Sequence, residues 1–295
     1  MILLSDFLAR SVMRGEEGLD AVSPCGEVTA LMYFFWREED AAAKWPSFEG
    51  ALLETWRNCG RLKTVVVTNR RHRCVTDFAA RFRNVEIQLE ERLVPGDINS
   101  MSVDCNARLA KRFSTKYVLI VQDDGFPLRP GLEYFVQRCY DFIGSPYCRA
   151  KPIPNLLTAI LNYCPSNGGF SLRSRRLCEL SAEYWRRFYA TRDFVVMEMS
   201  EDLFYTKTLP RRFPRFWLSR RQAPSIIAEC FSYEGVFPLY SREMPFGFHT
   251  AAGFAEVTRR FARPGGPCFQ VGRERGEVPE GPCFQVGRNP ERSDR

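Results

Sequence analysis

The sequence lacks the signatures of membrane insertion and of secretion. Nowhere in its 295 residues is there an apolar run of about 18 residues, the length that a membrane-spanning helix requires. The first 14 residues contain no long apolar segment and no small-residue cleavage site of the kind that signal peptides carry. We therefore expect a cytoplasmic protein, with peripheral contact at a membrane left open.

Cysteine pairs at metal-binding spacing are absent as well. The 11 cysteines are scattered along the chain, odd in number, and form no Cys-x-x-Cys pair. This pattern argues against a zinc cluster and against a fully paired disulfide framework. It agrees with a reducing compartment.

Lysine is scarce. Only six of the 42 basic residues are lysine, so the net charge of +7 comes from arginine. Arginine favours bidentate contacts with phosphate. A basic surface without a dedicated partner is the simpler explanation, and the charge alone therefore identifies no partner.

The chain does contain the alternation of an α/β protein. Hydrophobic residues at 45% and charged residues at 26% are ordinary values for a folded globular protein. Strand-length apolar segments at residues 28–35, 62–67, 85–89 and 117–121 alternate with helical periodicity at 3–13, 48–57, 74–82 and 103–113. This alternation predicts right-handed βαβ units and a mostly parallel sheet. Such a sheet binds its ligand at the carboxyl ends of the strands.

We divide the chain into three parts: an N-terminal helical extension at residues 1–26, one α/β domain at 27–262 and a tail at 263–295. The tail carries one eight-residue segment twice, at 266–273 and 281–288. Two copies are too few for a repeat architecture. Because the tail is rich in glycine, proline and charge, we expect it to be disordered and dispensable for folding.

Polar residues follow two of the predicted strands. Asp123 and Asp124 come directly after the strand at 117–121, and Asn69 follows the strand at 62–67. Carboxylates at this edge suit Mg²⁺ or Mn²⁺, which prefer oxygen ligands and often share them with substrate phosphates. A strand-ending turn is the competing interpretation, because Asp-Gly is a common turn pair.

Two further short motifs could lie at the same ligand-binding edge of the predicted sheet. Gly168 and Gly169 would let the backbone approach a ligand closely, or form only a tight loop before a strand. Glu201 and Asp202 follow Ser200 at a predicted helix start. One of these carboxylates could act as a general base, although capping and first-turn preferences alone explain their position.

The two histidines differ in their surroundings. His249 follows Phe248 in an aromatic segment, where it could complete a metal site with carboxylate and phosphate oxygens or simply pack as a structural side chain. His72 is flanked by arginine on both sides, and we expect it in a basic surface turn.

Arginine and aromatic residues interleave at residues 210–221. Such a segment can bind single-stranded nucleic acid. It could equally dock anionic lipid or a phosphorylated acceptor, or form an exposed loop. No RNA-binding signature accompanies it, so nucleic acid is not an expected partner.

Six segments together resemble the GT-A glycosyltransferases and, more narrowly, a little-characterised family of glycosyltransferase-like domains. In order they are residues 117–125, 140–146, 167–174, 201–202, 231–234 and 245–249. The resemblance covers about residues 60–255. It implies a GT-A-like, Rossmann-like single α/β domain with a mixed, mostly parallel central sheet flanked by helices.

The resemblance also implies roles for residues. Asp124 and His249, with Asp123 adjacent, would bind Mn²⁺ or Mg²⁺. Contacts with the nucleotide-sugar donor would come from Asn69, Asp123, Gly168 and Gly169. Asp202 is the first choice for the general base and Glu201 the second. Two positions depart from the family pattern, because Gln122 is an amide where a first aspartate is usual and Tyr147 replaces an expected tryptophan.

The expected function is therefore that of a metal-dependent glycosyltransferase. It would move a sugar from a nucleotide-diphosphate sugar to the hydroxyl of a glycan, lipid-linked or other acceptor. Two alternatives stay open: a non-catalytic GT-A-like protein that binds nucleic acid or anionic lipid, and a nucleotidyltransferase that also uses a metal and a nucleotide.

Overall fold

A computed structural model describes residues 3–146, 166–188, 201–205, 209, 231–233 and 244–261. The helices are α1 (Leu4–Arg14), α2 (Glu38–Cys59), α3 (Arg73–Arg81), α4 (Ile98–Arg112), α5 (Leu132–Gln137), α6 (Arg175–Phe188) and α7 (Ala251–Phe261). The strands are β1 (Val28–Phe34), β2 (Lys63–Thr68), β3 (Val85–Leu89), β4 (Tyr117–Ile120), β5 (Phe142–Pro146), β6 (Ser166–Ser174), β7 (Ser232–Tyr233) and β8 (Gly247–Phe248). A short helical turn spans Glu201–Leu203.

The central sheet has six strands in the order β3-β2-β1-β4-β6-β5. The pairs β2–β3, β1–β2 and β1–β4 are parallel, whereas β6 runs antiparallel to both β4 and β5. A second, two-stranded sheet pairs β7 with β8. The predicted fold class, α/β with a mixed, mostly parallel sheet flanked by helices, is confirmed.

Side chains alternate along each strand, so that successive residues point to opposite faces of the sheet. A core cluster covers each face. On β1, Ala30, Met32 and Phe34 enter the larger core cluster, whereas Leu31 and Tyr33 enter the second. The larger cluster includes apolar residues of α1, α2, α3, α5 and α7. The second includes residues of α4 and Cys178 of α6. Strands buried on both faces read as continuous apolar runs, which is why the sequence reveals them clearly.

Helix α2 is longer than its periodicity predicts. It begins at Glu38, ten residues before the predicted start at residue 48, and continues through Pro46. Three acidic residues occupy its first turn, where their negative charges interact favourably with the positive end of the helix dipole. Proline usually interrupts a helix, so the sequence pattern favours a later start.

The first helix packs on the domain. Phe7 and Leu8 of α1 are buried in the larger core cluster, and the Ser11 hydroxyl donates to the Gly50 carbonyl of α2 at 3.2 Å. The three-part division of the chain remains a prediction, and the tail at 263–295 lies outside the described residues. Within the described ranges, no helix combines the length and the apolar composition needed to cross a membrane.

Candidate functional site

The turn after β4 lies at the carboxyl edge of the sheet, the edge where β1 to β4 end. Gln122 and Gly125 exchange two backbone hydrogen bonds, of 2.9 and 3.1 Å, and hold Asp123 and Asp124 between them. The turn interpretation of this motif is therefore correct for the backbone. It does not exclude a ligand, because the Asp124 side chain is 44% exposed.

His249 lies close to this turn, although the two are far apart in the sequence. Its Nε2 lies 3.7 Å from Oδ1 of Asp124 and 3.4 Å from Oε1 of Gln122. The backbone N–H of Thr250 donates to the Asp124 carbonyl at 2.7 Å and joins the two segments. Thr250 adopts a φ of 75°, a conformation that β-branched residues rarely take. Backbone strain of this kind costs about 1–3 kcal/mol and is typical of functional sites.

The two glycines lie inside β6 rather than in a loop before a strand. Because β6 is antiparallel to β4, with Ser171 opposite Ile120, the amino end of β6 extends past the end of β4 towards the turn. A Cβ on Gly169 would overlap Nε2 of His249 and lie 2.5 Å from Oε1 of Gln122. A Cβ on Gly168 would overlap the Glu201 carboxylate. A Cβ at either position would force these side chains to shift, so the glycines permit the close approach.

Glu201 forms an ion pair that the sequence analysis missed. Its Oε1 accepts a hydrogen bond from Nη2 of Arg173 at 3.1 Å, and both side chains are buried. Burial disfavours the charged guanidinium, but the Glu201 charge together with the nearby Cys105, Tyr205 and Cys178 side chains outweighs this effect and holds the pKa of Arg173 above its ordinary value. A charged residue two positions after Ser171 in an alternating strand was the available signal, since a buried arginine needs a carboxylate partner.

Asp202 is half-buried in the same helical turn as Glu201. Of the two carboxylates, Glu201 is therefore the one that a buried arginine holds. The roles of both residues remain predictions.

Asn69 joins the ends of two strands. Its Nδ2 donates to the Trp36 carbonyl at 3.2 Å, and its Oδ1 lies 3.2 Å from Nε2 of His72. His72 is fully buried, and its Nδ1 lies 3.0 Å from the Glu38 carboxylate. The expectation of a basic surface turn for His72 is wrong, because the imidazole points inward and links these two residues while the arginines flank it.

Trp36 is a second residue that the sequence analysis passed over. It follows β1 at the carboxyl edge and is only partly buried, with Nζ of Lys44 4.9 Å from its ring centroid. An aromatic residue directly after a predicted strand was the signal that could have identified it.

The Asp123 carboxyl is a weaker acid than an ordinary aspartate. Burial raises its pKa to about 6, and the neighbouring Asp124 carboxylate adds to the shift. The Lys44 charge and backbone hydrogen bonds partly offset it. Perturbed pKa values of this kind are concentrated at functional sites.

The residues at this edge fit a divalent cation only in part. No group of three or more His, Cys, Asp or Glu side chains at metal-binding distances occurs among the described residues. Asp124 and His249 supply one oxygen and one nitrogen on converging side chains, and Gly169 leaves the space beside them free of a Cβ. A cation at this point would need its remaining ligands from a bound diphosphate or water, as is usual for Mg²⁺.

A cavity of about 700 Å³ lies elsewhere, between α4 and α6. Its lining includes Lys111, Arg186 and Trp185. None of the predicted site residues lines it.

Three solved structures are similar to this chain at low identity. Core-mannan synthase A (CmsA/Ktr4) from Aspergillus fumigatus, in its Mn/GDP form, is 11% identical over 63% of this chain and 67% of its own, with a TM-score of 0.40. The mannosyltransferase Ktr4p from S. cerevisiae is 12% identical over 69% and 72%, with a TM-score of 0.40. The mannosyltransferase PcManGT from Pyrobaculum calidifontis, in complex with GDP-Man and Mn²⁺, is 11% identical over 61% and 58%, with a TM-score of 0.33. Likeness at this level does not transfer a donor or a metal to this chain.

No curated protein matches the sequence. A family model does match, at residues 90–249, which include the β4 turn, the two glycines, the Glu201-Asp202 pair and His249. Because this match covers more than half of the 295 residues, the chain belongs to the DUF5672 family, described as proteins of unknown function.

Proposed function

We propose that this protein is a glycosyltransferase that moves a sugar from a nucleotide-diphosphate sugar to an acceptor hydroxyl, with the help of Mn²⁺ or Mg²⁺. The observation that carries the proposal is the convergence of Asp124, His249 and Gly169 at the carboxyl edge of the sheet. Three segments far apart in the chain meet there, with a carboxylate, an imidazole and a bare stretch of backbone.

Each residue has a role in this proposal. Oδ1 of Asp124 and Nε2 of His249 would hold the cation, and Asp123 would lie next to it. A divalent cation bound there supplies Lewis-acid assistance by neutralising charge on the leaving diphosphate. Gly168 and Gly169 would contact the donor through their backbone, which approaches Glu201 and His249 closely because neither glycine has a Cβ.

Asp202 is the proposed general base, which would take the proton from the acceptor hydroxyl as that hydroxyl attacks the anomeric carbon. The support is indirect: Glu201 already accepts a hydrogen bond from Arg173 and is 7% exposed. Because the Glu201 carboxylate is engaged by the buried guanidinium, the half-buried Asp202 is the better placed of the two to meet an acceptor hydroxyl.

The nucleoside would lie further along the same edge. Trp36 offers a partly exposed ring beside Lys44, and Asn69 lies next to it at the end of β2. An aromatic ring can stack on a nucleobase and contribute about 1–3 kcal/mol. Asn69 remains a proposed donor contact. Its side chain also donates a hydrogen bond to the Trp36 carbonyl and so holds that carbonyl in place.

The test is metal-dependent nucleotide binding measured by calorimetry with Mn²⁺ and either UDP or GDP. Asp124→Ala and His249→Ala should each abolish the metal-dependent part of the binding. Asp77→Ala, which removes an exposed carboxylate from α3, is the matched control and should bind as the wild type does. Undiminished binding by both site variants would refute the assignment.

A screen of nucleotide-sugars then separates the reaction classes. A glycosyltransferase releases the nucleoside diphosphate from its donor, whereas a nucleotidyltransferase acting on a nucleoside triphosphate releases pyrophosphate. A non-catalytic binding protein releases neither. The segment at 210–221, on which the nucleic-acid and lipid alternatives depend, lies outside the described residues. A cytoplasmic location and peripheral membrane contact remain proposals with no structural support.

A further inference from the structure

We propose that Arg173 is a positioning residue of this site, which ties Glu201 to the carbonyl of Gly168 and so fixes the backbone of Gly168 and Gly169 against His249. The inference rests on the proposed function, because it assigns a purpose to that backbone. It concerns a residue that does not itself touch the donor.

Arg173 makes three kinds of contact within one buried cluster. Its Nη2 donates to the Gly168 carbonyl at 2.9 Å and to Oε1 of Glu201 at 3.1 Å, while Nε donates to the Ser171 hydroxyl at 3.0 Å. That hydroxyl donates in turn to the same Gly168 carbonyl at 2.8 Å. The planar guanidinium therefore sets the distance between a helical turn and a strand end.

Aromatic rings close the remaining sides of the guanidinium. The ring centroids of Tyr205 and Phe142 lie 4.8 and 5.4 Å from its central carbon. Nη1 of Arg173 is buried and has no hydrogen-bond partner among the residues that the structure describes. A buried cation with an unused donor is costly, and an apolar side chain could fill this space at least as stably. Packing alone therefore does not account for an arginine here, whereas a need for fixed geometry does.

The geometry is passed on to the proposed metal ligands through one glycine. The Gly168 carbonyl held by Arg173 belongs to the peptide that continues into Gly169, whose N–H donates to Oδ1 of Asn167 at 2.8 Å. The backbone of Gly169 lies directly against Nε2 of His249 and Oε1 of Gln122. Without Arg173 the Gly168 carbonyl would keep only the hydrogen bond from the Ser171 hydroxyl, which would loosen the contact that places His249 opposite Asp124.

The experiment compares stability with nucleotide binding in three variants: Arg173→Met, the double variant Arg173→Met/Glu201→Gln, and Arg57→Met. Arg57 is the matched control, because it is a partly buried arginine that is likewise paired with a glutamate, Glu54, and bonded to backbone carbonyls. It lies at the opposite edge of the sheet. Thermal unfolding gives stability, and calorimetry with Mn²⁺ and UDP or GDP gives binding.

Arg173→Met should lower the melting temperature, because it leaves the Glu201 charge buried and unpaired. It should also weaken binding by about 10- to 100-fold, as is typical when residues that orient metal ligands are removed. The double variant should regain most of the stability, because no unpaired charge remains. Its binding should stay weak, because methionine cannot donate to the Gly168 carbonyl. Arg57→Met should lose stability and keep its affinity.

Two outcomes would overturn the inference: wild-type affinity in Arg173→Met, or affinity in the double variant that recovers together with its melting temperature. The second outcome would mean that Arg173 acts only through stability. If the wild type binds neither nucleotide with Mn²⁺, the proposed function fails first, and the positioning role falls with it.

Discussion

The two edges of the central sheet use similar residues for different purposes. At the amino edge, where β1 to β4 begin, Arg57 donates to the carbonyls of Ser11, Gly15 and Glu17 and pairs with Glu54 at 2.7 Å. Glu54 also pairs with Arg14. These contacts tie α1 and the loop after it to α2. Each matches charge with charge and donor with acceptor, as expected of contacts that only stabilise.

The carboxyl edge contains features that stability alone does not favour. Thr250 has a strained φ, and Gly169 has no room for a Cβ beside His249. The pKa of Asp123 is raised to about 6, and Nη1 of Arg173 has no hydrogen-bond partner within the described part of the chain. Such costs are expected where geometry serves binding or catalysis. The comparison therefore predicts that substitutions at the carboxyl edge reduce function more than stability, and that those at the amino edge do the reverse.

The largest expected effect is that of Asp202→Asn. Loss of a general base should lower turnover by about 10²- to 10⁴-fold, with little change in melting temperature, whereas Glu201→Gln should give a milder catalytic defect. Turnover is measured as release of nucleoside diphosphate from the donor identified in the screen. The amino-edge counterpart is Glu54→Gln, which leaves Arg57 unpaired and should lower the melting temperature with turnover unchanged. Near-normal turnover in Asp202→Asn would remove Asp202 as the base.

A smaller effect is expected from Gly169→Ala. The added Cβ overlaps His249, and overpacking of this kind costs about 1–3 kcal/mol. Because the imidazole must shift, its placement relative to Asp124 changes, and metal-dependent nucleotide binding should weaken even where the protein stays folded. Gly26→Ala is the matched control just before β1, where a Cβ would meet nothing within 4 Å. Equal binding by the two variants would contradict the tight approach of β6 to His249.

The smallest effect concerns pH and is expected in the metal-free protein. Because the pKa of Asp123 is raised to about 6 in the folded state, the folded protein holds a proton there that the unfolded chain has already released. Its contribution to stability is therefore present below about pH 4 and is lost as the pH rises through 6. A shift of this size corresponds to at most about 3 kcal/mol, and partial exposure reduces it to about 1–2 kcal/mol.

Asp123→Asn should flatten this part of the pH profile, which urea unfolding between pH 4 and 7 can measure. Asp20→Asn is the control. It removes an exposed carboxylate paired with Arg61 at the amino edge, and so shows the effect of losing one negative charge outside the proposed site. A wild-type stability that rises between pH 4 and 6, with the same slope in Asp123→Asn, would contradict the raised pKa.

The local architecture can be predicted from the amino-acid sequence alone. Apolar runs and helical periodicity identified four parallel strands and four helices to within a few residues, except at the start of α2, and the strand ends placed Asp124 and Asn69 at one edge. Burial is written into such patterns, because each strand or helix must present apolar side chains to the core. Which side chains come into contact depends on how the elements pack in three dimensions. The reversal of β6 brings Gly169 to His249, the Arg173–Glu201 pair joins residues 28 positions apart, and His72 turns inward despite its arginine neighbours. The hydrophobic periodicity of the sequence does not predict these contacts, because each depends on the relative placement of elements far apart in the chain.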